Sequence, residues 1–179
     1  MALHYAGLTG KGKRMFELYL IRHAIAEERG NAWPDDAWRP LSVRGRAQMR
    51  KAARGLERLG VTFTVILSSP LIRARQTADI VAEALAIKPE VIVADSLSPE
   101  GSYAEVMADL ARQPTRRAIA LVGHEPNLGE LAGRLAGSRH AFAFKKGAVC
   151  RIDVESIPPG GPGTLRWFLT PAILRAIGG

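Results

Sequence analysis

Short apolar runs alternate along the chain with stretches in which apolar residues recur every three or four positions. That alternation predicts strands feeding helices. Glu17-Leu-Tyr-Leu-Ile21 reads as a buried strand. Residues 24–40 are polar and hold Gly30, Pro34 and Pro40, so they read as a long loop of the kind that is usually functional. Ser42 is placed to cap a helix reaching about Leu59, with Met49, Ala52, Ala53, Leu56 and Leu59 at helical spacing and Gly60 as its stop. Thr62–Leu67 predicts a second strand. Ser69 as cap and Pro70 at the first helical position then predict a helix to about Ala86.

Glu90–Ala94 predicts a third strand, and Ser102 with Glu105 forms a capping-box pattern for a helix through Tyr103, Val106, Met107 and Leu110. Ala118–Val122 predicts a fourth strand, followed by a Gly123-His124-Glu125-Pro126 turn and a helix carrying Leu128, Leu131, Ala132 and Leu135. Ala148–Val154 and Thr164–Leu169 predict two more strands joined by a long turn, and Thr170-Pro171 opens a closing helix. No repeat or linker interrupts the pattern. The expectation is one α/β domain over residues 16–179, with a mostly parallel central sheet of about six strands and helices on both faces. Residues 1–15 are expected to form a flexible leader.

Composition adds bounds. A chain of 179 residues with 47% hydrophobic content can enclose one core. No apolar run reaches the length of a membrane span, and the first residues lack the pattern of a secretory signal. The single cysteine, Cys150, has no partner for an internal disulfide, which favours a reducing, cytoplasmic setting. The net charge is +8. Part of it lies in the leader (Lys11, Lys13, Arg14), and part on one predicted helix (Arg44, Arg46, Arg50, Lys51, Arg54, Arg58). That helix presents either a solvated face or a binding surface. No aromatic residues interleave with the charges, so single-stranded nucleic acid is a poor fit.

In open α/β sheets, ligands sit beyond the carboxyl ends of the strands. Three of those ends carry unusual residues: Arg22-His23, Ser68-Ser-Pro-Leu-Ile-Arg73 and Gly123-His124. If the strands are parallel neighbours, two histidines and two arginines converge on one point. Such a set suits phosphoryl transfer, which is largely positioning and charge stabilisation. Arginine offers a planar fork of donors to phosphoryl oxygens. A neutral imidazole can attack phosphorus. Each residue alone has a structural explanation, and only the joint placement points to a site. Arg39, in the predicted loop, either touches substrate or pairs with Asp35 or Asp36. His4 and His140 receive no role. A metal site is disfavoured because arginines flank the histidines and no H-E-x-x-H or C-x-x-C spacing occurs. A serine nucleophile is disfavoured because no G-x-S-x-G elbow occurs.

At these residues the sequence resembles the histidine phosphatase superfamily, and more specifically the small SixA-type phosphohistidine phosphatases. Leu20-Ile-Arg-His-Ala-Ile-Ala26, Asp36-Ala-Trp-Arg-Pro-Leu-Ser-Val-Arg-Gly45, Ser68–Ala78, Leu121-Val-Gly-His-Glu-Pro-Asn127 and Trp167-Phe-Leu-Thr-Pro171 carry the resemblance in order. It implies His23 as phosphorylated nucleophile, with Arg22, Arg73 and His124 binding the phosphoryl group. It implies as partner a phosphorylated signalling protein such as a phosphotransfer domain. No metal or other cofactor is expected, since arginines can supply the charge, and neither a membrane nor nucleic acid is expected as a partner. Other readings are a phosphatase of small phosphorylated metabolites on the same site, and a non-catalytic phosphate or nucleic-acid binder. Ala24 stands where the family signature has glycine, which implies strain if the position needs a positive φ. The general acid has only positional candidates: Glu27, Glu28, Glu100 and Glu125.

Overall fold

A computed structural model describes residues 15–179. Apart from Met15, the predicted leader, with His4 and three of the basic residues, lies outside the described residues. Six strands, β1 (Phe16–Arg22), β2 (Val65–Ser68), β3 (Glu90–Val93), β4 (Ala118–Gly123), β5 (Val149–Val154) and β6 (Thr164–Leu169), form one sheet in the order β3-β2-β4-β1-β5-β6. The pairs β2–β3, β2–β4 and β1–β4 are parallel. β5 runs antiparallel to both β1 and β6, so the sheet is mixed rather than uniformly parallel.

Five helices cover it: α1 (Val43–Arg58), α2 (Ile72–Ala84), α3 (Tyr103–Ala111), α4 (Asn127–Leu135) and α5 (Pro171–Gly178). The strands' side chains divide by their period of two. Tyr19, Ile21, Ile66, Ala120 and Val122 pack with Met49 and Leu56 of α1, Ala78 and Val81 of α2 and Leu174 of α5. Leu18, Leu20, Leu67, Ile119 and Leu121 pack with Leu110 of α3 and Leu128 and Leu131 of α4. Helices therefore lie on both faces.

Local signals explain several boundaries. Ser42 caps α1 by accepting from Gly45 N at 3.0 Å. Ser102 and Glu105 form the full capping box of α3. Several strand ends shift by one residue, and three boundaries differ further or for an identifiable reason. β2 starts at Val65 rather than Thr62, because the Thr64 hydroxyl and N–H both bond the Ala118 carbonyl and turn the chain into the sheet there. α2 starts at Ile72, with Leu71 as its uncapped N-cap, because the Ser69 hydroxyl is held by a histidine across the cleft (below). α2 also ends at Ala84, two residues short of Ala86. The predicted long loop contains a single 3-10 turn, Asp36–Trp38, and is pinned by an Ala26–Leu41 bridge.

Candidate active site

The order β2-β4-β1 makes the three marked strands adjacent. In register, Arg22 pairs with Gly123 and Ser68 with Val122, so their carboxyl ends finish level. Beyond them opens a cleft of about 670 Å³, lined by Arg22, His23, Arg39, Arg73, His124 and surrounding loop residues. The four side chains expected to converge therefore share one cavity. The His23 and His124 rings lie 5.0 Å apart between centroids. His23, Arg73 and His124 are buried, as is Arg39.

Each imidazole is held by one nitrogen. His23 Nδ1 lies 2.7 Å from the Ala24 carbonyl oxygen. A carbonyl can only accept, so the ring proton sits on Nδ1 and Nε2 presents its lone pair. His124 Nε2 lies 2.8 Å from the Ser69 hydroxyl, and its Nδ1 is buried with no protein partner. Burial first, then the neighbouring His124 and the Arg73 and Arg22 charges, push His23 down to about 3. Burial, then Arg73, with Arg22 and Arg39 adding and Asp36 opposing, push His124 down to about 3. Both rings are thus neutral in water near pH 7.

The backbone around His23 is fixed from three sides. Ala24 N–H donates to Thr77 Oγ1 at 3.0 Å, and that hydroxyl donates to the Arg73 carbonyl at 2.7 Å, tying the His23 turn to α2. Gly147, at φ +83°, donates its N–H to the carbonyls of both Arg22 and His23. No non-glycine residue among those described has positive φ, so alanine at position 24 carries no strain of the kind considered above.

The Arg22 and Arg73 guanidiniums are each gripped at one edge, and each keeps a buried nitrogen unpaired. Arg22 Nη1 donates to the Phe144 carbonyl, while its Nε is buried and unpartnered. Arg73 holds Asp36 twice, through Nη2 to the carboxylate at 2.9 Å and Nη1 to the backbone oxygen at 2.7 Å. Its Nε is likewise unpartnered. Of the two roles the sequence left open for Arg39, the structure shows the pairing, at a place beside the cleft. It lines the cleft, and its Nε pairs with Asp36 at 2.8 Å, not with Asp35. Arg29 reaches the same carboxylate at 3.3 Å. These cations hold Asp36 below the usual carboxylate range, led by its hydrogen bond from Arg39.

All four positional candidates for a general acid line the cleft. Glu125 is committed elsewhere: Oε1 accepts from Phe144 N at 2.6 Å and Oε2 from Gly129 N at 3.3 Å. It thereby fixes the very residue whose carbonyl holds Arg22. Sequence reasoning missed Asp36, Ser69, Thr77 and Lys146 as parts of the site. Ser69 and Thr77 lie inside the motif around Arg73, and Asp36 three residues before Arg39, so spacing offered a signal for them. Lys146, in the turn before β5, has none; it lines the cleft and its charge is disfavoured by burial and by Arg22, Arg39 and Arg73. Among the described residues, no group of three His, Cys, Asp or Glu could hold a metal ion, and no helix is long and apolar enough to cross a membrane.

Comparison with known proteins identifies the family and the fold. The sequence model of the histidine phosphatase superfamily (branch 1) matches residues 18–98. An uncharacterised protein of a Picosynechococcus strain is 40% identical over 138 residues, 74% of this chain and 82% of its own. The phosphohistidine phosphatase SixA of Escherichia coli is 26% identical, over 89% of this chain and 96% of its own. A structure of the protein histidine phosphatase SixA complexed with tungstate superposes with a TM-score of 0.79 at 25% identity, over 89% of this chain and 99% of that one. The chain therefore belongs to the histidine phosphatase superfamily, as a SixA-like phosphatase.

Proposed function

We propose that this phosphatase removes the phosphoryl group from phosphohistidine on a signalling protein, through a phosphohistidine intermediate on its own His23. The observation that carries the reading is the state of His23. It is a neutral imidazole with Nδ1–H spent on the Ala24 carbonyl and Nε2 free, facing two arginines and a second imidazole in one cleft. Nucleophilic nitrogen needs that lone pair, and in water near pH 7 it would be protonated only to a minor extent; burial makes it neutral well below that.

In the first step, His23 Nε2 attacks phosphorus and the bond from phosphorus to the substrate's ring nitrogen breaks. The three phosphoryl oxygens are met by the free N–H groups of Arg22 and Arg73 and by His124, with Arg39 beside them. The leaving imidazole takes up a proton from solvent. It is a much better leaving group than an alkoxide, so no carboxylic acid is required, in keeping with the commitment of Glu125 to backbone N–H groups. In the second step, water attacks the same phosphorus, the bond to Nε2 breaks, and inorganic phosphate departs. Charge is compensated by arginine throughout, and no step needs a metal. Tungstate is a tetrahedral oxyanion, so its presence in the SixA structure supports reading this cleft as a phosphate site. The proposed setting is the cytoplasm, in keeping with the lone, buried Cys150.

The test is a phosphoenzyme trap. Turnover quenched in alkaline detergent should yield an acid-labile, base-stable phosphoryl adduct on His23, and His23→Ala should lose both adduct and turnover while keeping its fold by circular dichroism. Turnover by His23→Ala would defeat the reading. A second reading has one observation in its favour. An apolar groove of about 400 Å³, lined by Leu97, Val106, Leu128 and Leu131, reaches His124 and could seat the leaving group of a small phosphoester. Comparing a phosphorylated photosphotransfer-type protein with a panel of sugar and nucleotide phosphates separates the two, since equal turnover of a small phosphate favours the second.

A further inference from the structure

The charges of α1 are not all explained by the fold. Arg54 donates to the Gly178 and Gly179 carbonyls, and Arg58 to that of Ile177, so these two neutralise the exposed carboxyl end of α5. Arg44, Arg50 and Lys51 are exposed, and no carboxylate is paired with them among the described residues. Every charged residue in the first three turns of α1 is basic. An unpaired cationic face repels itself, which works against folding, and it attracts an oppositely charged partner, whose binding would relieve that repulsion.

Its placement matters more than its size. The first turn of α1 is anchored at the cleft. Ser42 N donates to the Ile25 carbonyl at 3.1 Å, and a Cβ at Gly45 would lie 1.9 Å from that oxygen. Ile25 itself lines the cleft. Lys146, on the cleft rim, also lies with Arg175 beside Gly45 and Gln48 of α1. A cationic surface thus starts at the mouth of the phosphate cleft and extends along α1, about 24 Å for a helix of 16 residues. No aromatic residue belongs to α1, so the surface offers nothing for bases to stack on.

We infer that this face, Arg44, Arg50 and Lys51 of α1 with Lys146 and Arg175, is the docking surface for the acidic flank of the phosphorylated protein whose phosphohistidine enters the cleft. The inference rests on the proposed function and specifies its partner: a folded protein with carboxylates beside the modified histidine. A small phosphate reaches His23 without touching α1. Attraction between opposed charged faces acts mainly on the rate of encounter and is weakened by salt.

The experiment measures kcat/KM on two substrates across roughly 50 to 500 mM salt, a range over which the screening length falls severalfold. One is an acidic histidine phosphotransfer domain phosphorylated with phosphoramidate; the other is p-nitrophenyl phosphate. The variants are R44E/R50E/K51E and the milder R44Q/R50Q/K51Q, all at exposed positions outside the cleft. For the wild type, kcat/KM on the phosphoprotein should fall with salt. The Glu variant should lower it by about tenfold or more at low salt, mostly through KM, and flatten the salt slope, with the Gln variant between. Turnover of p-nitrophenyl phosphate should stay within about twofold of wild type, since the residues changed lie outside the phosphate cleft. An unchanged, salt-independent rate on the phosphoprotein in both variants would overturn the inference. So would an equal loss on both substrates. Tight binding of an RNA oligonucleotide or of phosphatidylserine vesicles to this face, with phosphoprotein turnover indifferent to it, would overturn it too. Failure of the proposed function looks different: the wild type itself would cleave p-nitrophenyl phosphate and leave the phosphohistidine intact.

Discussion

At the scale of single residues, Asp36 decides how the arginines are presented. Its carboxylate and backbone oxygen occupy both terminal nitrogens of the buried Arg73, and its carboxylate also holds Arg39 and Arg29. Arg73 has five N–H groups, so two spent on Asp36 leave three unspent, and that grip fixes the plane in which they are presented. Asp36→Asn keeps the shape but weakens three charge-assisted contacts, those to Arg73, Arg39 and Arg29. It should lower kcat/KM about ten- to a hundredfold by loosening these guanidiniums, with vanadate inhibition weakened in parallel. Asp36→Glu should recover part of the loss. Steady-state kinetics with both variants checks this; tighter vanadate binding in Asp36→Asn would mean that the carboxylate competes with the phosphoryl group instead of orienting its ligands. Arg73→Ala removes the fork itself and should cost on the order of 10²–10³ in rate, as loss of an oxyanion donor does.

At the scale of elements, the site depends on how closely α1 approaches the turn after β1. Gly45 allows it: an added Cβ would sit 1.9 Å from the Ile25 carbonyl. Gly55 does the same against α5, where a Cβ would meet the Leu174 carbonyl at 2.1 Å. Gly45→Ala and Gly55→Ala should each destabilise the fold by about 1–3 kcal/mol through overpacking, read from urea denaturation. Only Gly45→Ala should also lower kcat under conditions where both are folded, because only it displaces the segment carrying His23. Equal activity in the two variants would detach the cleft from α1. These dependencies also show what the sequence could reveal. The strands around His23 and His124 were legible because short, uninterrupted apolar runs bounded by Arg-His and Gly-His leave few alternatives. The capping box of α3 was legible because both partners lie within three residues. The start of α2 was not, since Ser69 shares its hydroxyl between His124, 55 positions away, and a long 3.3 Å bond from Leu71 N at the helix entrance, and so does not cap the first turn. Lys146 was not either, for only the antiparallel β5 brings its turn beside β1.

At the scale of the whole molecule, burying two neutral imidazoles ties folding to pH. In the unfolded chain each histidine takes a proton near its ordinary value of 6.5, whereas in the folded protein each resists protonation down to about 3. Between those values the unfolded state binds more protons, so stability rises with pH there and is lost as the solution is acidified. Above about 6.5 both states are neutral at these positions and the pair contributes no slope. Each histidine can contribute up to roughly 1.4 kcal/mol per pH unit below that point. Asp36, held below the usual carboxylate range, adds a loss of the same sign at lower pH. His23→Ala/His124→Ala should therefore be less stable than wild type at pH 7, from cavities, yet lose less on going to pH 5. Urea unfolding free energies of both proteins at the two pH values measure the difference of differences. An equal loss would mean that the rings accept protons in the folded state, and a His23 that is a cation at pH 6 could not be the nucleophile drawn above. Bound phosphate should reverse the trend in part. Its charge favours protonated histidine, so added phosphate should stabilise the wild type more at pH 5 than at pH 7, and the double variant by much less at either.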